Sequence, residues 1–335
     1  IARMSAPPDA ADPSAADTRR GILFILAGMF AISVNDATIK ALSGDYPLHQ
    51  MVFTRSAIAL VFTFVFLRLE GGLVLLRTRT PGLHALRALL IVVANMTFFA
   101  GLAVLPLAEA TALFFIAPLL ITLLSVPVLG ETVGPRRAAA LVAGFAGVLL
   151  MMRLGADPGA GEAPAWARTL PVAAAACYAG MQVLTRKLGV STRASAMAIY
   201  IQVAFLVVSA GFFVVAGDGR FAGRVDSPAL AFLVRPWAWP EPQDWPLFAL
   251  IGVMGGGIGY CLSNAYRLGT AATIASYEYV ALPLAIFWGW AIWGEVPGPR
   301  TMAGIVLIVG AGLYVFLRER QRAEALAAGR PQRRL

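Results

Sequence analysis

LGETVGPRRAAALVAGFAGVLLMMR (129–153) and WGEVPGPRTMAGIVLIVGAGLYVFLR (293–318) are two copies of one pattern. Each places Gly-Glu ahead of Pro-Arg, then runs through a helix-length series of small and apolar residues that closes on Arg, at an offset near 164. Upstream, KLGV at Lys187 resembles KALS at Lys40, and AIYIQ (198–202) falls on MVFTR (51–55), both at an offset of 147. The longer offset further along marks an insertion in the second copy, the stretch from Asp218 to Asp244. The chain reads as a duplication.

Composition names the solvent. Of 335 residues, 59% are hydrophobic and 13% charged, with a mean hydropathy of +0.75, against about 25% charge in soluble proteins. Too little polar surface is left to cover a water-soluble globule. In hydrocarbon every backbone polar group must be satisfied within a helix or a closed barrel, and apolar runs near 20 residues select helices. Ten segments qualify, at about 21–42, 48–67, 83–104, 107–129, 136–153, 169–188, 194–217, 245–266, 271–293 and 298–317. The expected fold is an all-α integral membrane protein of ten transmembrane helices. Five spans per copy is an odd number, so the two units, 21–153 and 169–317, enter the membrane in opposite directions as inverted five-helix repeats. That plan suits alternating access to one mid-membrane site.

The flanks and loops set the orientation. Residues 1–20 are rich in Ala, Pro, Ser and Asp, hold no signal-peptide core, and are expected to be a disordered tail. Residues 318–335 form a basic tail suited to anionic head groups. The net charge of +9 comes from Lys and Arg clustered between apolar runs and at the termini, which argues for topology signals and against nucleic acid. With the N-terminus inside, nineteen Lys and Arg fall inside and seven outside, with Arg55 within a span. Both termini are therefore expected in the cytoplasm. The outer loop 218–244 carries Trp237, Trp239 and, just after it, Trp245, and is expected to lie on the outer surface or act as a lid. Cys177, Cys261, His49 and His84 lie apart, without metal-ligand spacing.

The five-plus-five pattern, with Pro118 and Pro283 in corresponding spans followed by Gly130-Glu131 and Gly294-Glu295, resembles the drug/metabolite transporter (DMT) superfamily, EamA type. The resemblance covers about residues 20 to 318. It implies a multi-pass protein of the bacterial inner membrane with a central cavity between helices one to four and six to nine. It also implies transport of amino acids, related metabolites or cationic compounds, with bacterial amino-acid exporters as the nearest functional analogy.

Ionisable groups inside hydrocarbon cost roughly 2.5 to 3.5 kcal/mol each on insertion scales and call for a partner or a wet cavity. Asp36, Arg55 and Glu278 are the three candidates. At 1.5 Å per residue, Asp36 and Arg55 both lie about 10 Å below the outer surface, at a depth that allows an ion pair, either a structural staple or a gate. Glu278 is a candidate coupling group, because desolvation favours the neutral form of a carboxylate. Around them stand Asn95, Thr111, Phe115, Tyr178, Gln182, Tyr200, Gln202, Tyr260 and Tyr277, a set of amides, hydroxyls and rings suited to a small zwitterion with an organic side chain. GGGIGY (255–260) continues an apolar helix without a preceding strand, so close helix contact explains it better than a phosphate loop.

The expected function is a secondary transporter exporting amino acids or similar small polar metabolites. Import of a vitamin or nucleoside-like metabolite is the alternative. An intramembrane enzyme is disfavoured, since no cluster of acids for magnesium and no nucleophile with a base is present. The expected partners are the small-molecule substrate and membrane lipids, with no cofactor and no nucleic acid, in a monomer or a homodimer.

Overall fold

The computed structural model describes residues 15–130, 134–152, 163–188, 194–221, 224–268, 274 and 277–328, and these are helices and connections without a strand. The helices are α1 (Ala15–Leu42), α2 (Leu48–Glu70), α3 (Pro81–Leu102), α4 (Leu107–Phe114), α5 (Ala117–Leu129), α6 (Pro135–Met152), α7 (Thr169–Leu188), α8 (Ala194–Ala216), α9 (Pro228–Val234), α10 (Trp245–Leu268), α11 (Ala281–Trp293) and α12 (Pro299–Ala328). Among the described residues, six spans are long and apolar enough to cross a membrane: Arg19–Leu42, Leu48–Glu70, Pro81–Leu102, Leu107–Val128, Ser195–Ala216 and Trp245–Leu262. Ala138–Met152 and Pro299–Val315 are shorter apolar helices. Large apolar side chains such as Val61, Leu123, Val207 and Val306 point outward, as lipid-facing surface requires. Both ends of the chain are more helical than expected: α1 starts within the 1–20 stretch, and α12 runs through the basic tail to Ala328.

The span expected at 107–129 is two helices. Pro118 has no N–H, and its ring collides with the carbonyl four residues back, that of Phe114. α4 ends at Phe114, and α5 begins at Ala117 after a turn in which Ile116 N–H donates to Leu113 O at 3.4 Å. The second copy repeats the device. Pro283 stands four residues after Tyr279, a 3-10 turn occupies Tyr277–Val280, and α11 starts at Ala281. Within the span expected at 271–293, residues 269–273, 275 and 276 lie outside the described set.

α5 and α11 are matched in length and in ending. Each has 13 residues and stops on a left-handed glycine, Gly130 at φ 72° and Gly294 at φ 68°. Their N–H groups reach back to Val126 O and Trp290 O. Only glycine adopts that conformation without steric cost. Contacts repeat as well: α1 packs on α10 as α3 packs on α7, α2 meets α10 as α8 meets α3, and α5 meets α7 as α11 meets α1. α6 and α12 pack on each other at one edge.

The 218–244 stretch is anchored. α9 lies on α2 and α3 with Phe232 buried, and an extended strap follows it. Gln50 exchanges two hydrogen bonds with the Ala238 backbone at 2.6 and 3.1 Å, and Tyr46 donates to Asp244 at 2.6 Å. Arg235 donates to the Ser43 carbonyl at 3.1 Å. The strap therefore closes over the α1–α2 turn. Of the tryptophans expected at the lipid interface, Trp239 and Trp245 are exposed, while Trp237 packs among His49, Phe53 and Phe213.

Replacing either cap glycine, Gly130→Val or Gly294→Val, forces a branched side chain into the left-handed region. The expected loss is about 1–2 kcal/mol for each, read as a lower melting temperature of the purified protein; unchanged melting would show that neither cap is strained by a side chain.

Candidate binding cavity

A cavity of about 360 Å³ lies at the centre of the bundle, walled by α1, α2, α3, α4, α5, α7, α10, α11 and the 3-10 turn at Tyr277–Val280. Helical spacing explains which residues reach it. Met29, Ile32, Ser33 and Asp36 form one face of α1, and Ile91, Ala94, Asn95, Phe98 and Phe99 form one face of α3.

Polar groups gather around Asp36 and Arg55. Asn35 Nδ2 donates to Asp36 Oδ1 at 3.0 Å, and Arg55 Nη2 donates to Asn95 Oδ1 at 3.3 Å. The Arg55 guanidinium also faces the rings of Phe205 and Phe99, at 5.4 and 6.0 Å from their centroids. No ion pair joins Asp36 and Arg55 among the described residues, so the staple suggested by their equal depth is not formed. Each charge is held by a neutral amide, and both line the same cavity. Asn35 Oδ1, buried beside them, has no hydrogen-bond partner among the described residues.

Gly255 on α10 makes room for this arrangement. A Cβ there would come within 2.9 Å of Arg55 Cγ and within 3.9 Å of Ala59. The glycine run is a close seam between α10 and α2, which is the helix-contact explanation favoured from the sequence.

Aromatic rings make up much of the rest of the lining. Phe98 meets Phe114 edge-on at 5.2 Å, Phe114 meets Tyr178 at 5.4 Å, and Phe115 stacks on Tyr279 at 5.3 Å, bridging the two broken spans. Thr111, Phe115, Tyr178 and Glu278 all line the cavity.

Comparison with known proteins decides the class. The model of the EamA-like transporter family matches the chain twice, over residues 19–153 and 165–317. The chain belongs to the EamA-like transporter family. This EamA-like protein is 28% identical to a riboflavin transporter of Rhizobium johnstonii, over 90% of this chain and 92% of the relative. It is 24% identical to an S-adenosylmethionine uptake transporter of Rickettsia prowazekii, over 90% and 94% of the two chains. It is 26% identical to a pseudopaline exporter of Pseudomonas aeruginosa, over 88% and 94%. A solved crystal structure shares the fold at a TM-score of 0.59 and 21% identity, over 91% of this chain and 98% of the other.

Within this EamA-like fold, the remaining residues singled out from the sequence sit elsewhere. Gln182 lies behind Tyr178 and donates to its hydroxyl at 2.6 Å. Tyr200 donates to Leu76 O at 2.6 Å and lies against His84. Gln202 is half-buried on α8 and does not line the cavity. Tyr260 is 43% exposed and stacks on Phe66, facing the lipid side. Tyr277 packs with the buried cluster of Ile25 and Met29. Ser33, Phe98 and Phe99 are cavity residues that sequence reasoning passed over, although each shares a helical face with a residue it did choose.

Asn95→Leu removes the acceptor that Arg55 holds while keeping the volume similar. Hydrogen bonds to charged groups contribute about 1.5–3 kcal/mol, so the variant should melt several degrees lower, and Asn95→Asp should melt at or above wild type. Equal melting of all three would mean that the 3.3 Å contact stabilises nothing.

Proposed function

We propose that this protein carries a ring-bearing polar metabolite, with a zwitterionic or polyhydroxylated arm, across the bacterial inner membrane by alternating access. The observation that carries the reading is the central cavity itself. Its opposite charges, Asp36 and Arg55, bind amides instead of each other, and aromatic rings share the lining with them. A substrate with a donor group at one end and a carboxylate or carbonyl at the other would complete both charges. It would also satisfy Asn35 Oδ1, a buried acceptor whose isolation costs about 1–3 kcal/mol. Phe114, Phe115 and Tyr178 would take the ring. The cavity volume falls in the range of sites for drug-sized ligands.

The names of the relatives support this class, since they cover uptake of S-adenosylmethionine, transport of riboflavin and export of pseudopaline. Amino-acid export, expected from the sequence, is the second reading, and the opposite charges of Asp36 and Arg55 favour it. An inverted five-plus-five arrangement is supported by the paired packing of the halves and by the matched α5 and α11. Both termini lie in the cytoplasm in this reading, and the strap lies on the periplasmic face.

Riboflavin, S-adenosylmethionine and a panel of single amino acids should be compared by thermal shift, because a ligand that binds only the folded protein raises its melting temperature by mass action. A ring-bearing compound is expected to stabilise the protein and to compete for flux in liposomes. Phe114→Ala should reduce that stabilisation at least tenfold in apparent affinity, and Arg55→Met should abolish it. Stabilisation by a plain amino acid alone, indifferent to Phe114→Ala, would select the second reading, and no stabilisation by any compound with no flux would defeat both.

A further inference from the structure

Toward the end of α1 that leads into the strapped α1–α2 turn, a second chamber, of about 510 Å³, lies between the end of α1, the α3–α4 link and residues 295–298. It is lined by two cations and two anions: Lys40, Arg168, Glu109 and Glu295. The first turn of α4 borders both this chamber and the central cavity. Leu107 faces the central cavity, whereas Ala108 and Glu109 face the second chamber.

That turn is tied from several directions. Glu295 Oε2 accepts the Leu107 N–H at 2.9 Å, and Glu295 Oε1 lies 2.6 Å from Lys40 Nζ. Lys40 also donates to the Leu105 carbonyl at 2.8 Å and sits 4.8 Å from the Trp293 ring centroid. Glu109 pairs with Arg168 at 2.5 Å. At its other end α4 stops at the Phe115–Ile116 break that Pro118 imposes. A helix of eight residues, interrupted below and pinned above by side chains from three other segments, can move as one body once the pins are released.

We propose that α4 is the gate on the strap side, that Glu295 with Lys40 is its latch, and that the charged chamber is the vestibule through which substrate passes. This rests on the carrier reading of the central cavity. The vestibule suits the charged arm of a zwitterion: a carboxylate there competes with Glu295 for Lys40, and an ammonium competes with Lys40 for Glu295. Arrival of substrate thereby loosens the latch, while an empty vestibule leaves it closed. Glu295 and Lys40 are positioning residues, since neither lines the central cavity.

Access to the central cavity reads the gate directly. In a Cys177→Ser, Cys261→Ser background, Ala285→Cys places a thiol on the cavity wall, and a membrane-impermeant methanethiosulfonate is added to whole cells or to inside-out vesicles. Adding Glu295→Gln or Lys40→Met should speed labelling at least tenfold in whole cells only. Ala175→Cys, fully buried in the packed core and not on the cavity lining, should stay unlabelled in the same variants. Unchanged labelling of Ala285→Cys would overturn the latch. So would an increase confined to inside-out vesicles, or equal labelling of Ala175→Cys, which would mean that the pair holds the fold and not a gate. Labelling needs no substrate, so faster labelling in a protein without flux would retain the gate and reject the carrier, and flux with unchanged labelling would do the reverse.

Discussion

Hydrocarbon does not tolerate an exposed backbone polar group, and the architecture of this protein follows from where that rule is locally suspended. Pro118 and Pro283 each remove one N–H donor and force a break one turn upstream, at Phe115–Ile116 and at Val280. Such breaks survive in a membrane only where protein or a wet cavity covers them. Here both face the central cavity, and Phe115 from one break stacks on Tyr279 beside the other. The two interruptions thus contribute residues to the cavity lining and end α4 after eight residues.

Charge placement obeys the same economy. A direct contact between Asp36 and Arg55 would neutralise both and leave nothing for a ligand. Asn35 and Asn95 stand in its place, so that each charge keeps one satisfied hydrogen bond and an open side toward the cavity. Two ion pairs that do close, Lys40 with Glu295 and Glu109 with Arg168, hold backbone segments together. In the proposed reading, one set of charges serves recognition and the other serves closure.

Much of the site was legible. Depth arithmetic put Asp36 and Arg55 at one level, and both line the cavity. The i, i+3, i+4, i+7 spacing through Asp36 also points to Met29, Ile32 and Ser33, and the face through Asn95 contains Phe98 and Phe99. The tyrosines fared differently. Tyr260 and Tyr200 have the same chemistry as Tyr178, yet one stacks on Phe66 at the lipid surface and the other bonds Leu76 O near a loop. Residue type and depth do not tell which way a helix is rotated about its axis, and in lipid an aromatic ring is equally at home on either side.

By itself the sequence determined the solvent, the helical class, the duplication and the positions of six apolar spans, because these depend on local hydropathy and on residues close in the chain. It also placed Pro118 and Pro283 in corresponding spans, but it read each span as one continuous helix, and the structure breaks both. Only the tertiary structure decided that Asp36 and Arg55 stay apart, that Glu295 reaches Lys40 across 255 positions of chain, and that the 218–244 stretch is strapped to the α1–α2 turn. Those outcomes depend on helix rotation and on contacts between segments far apart in sequence, and no local pattern encodes either one.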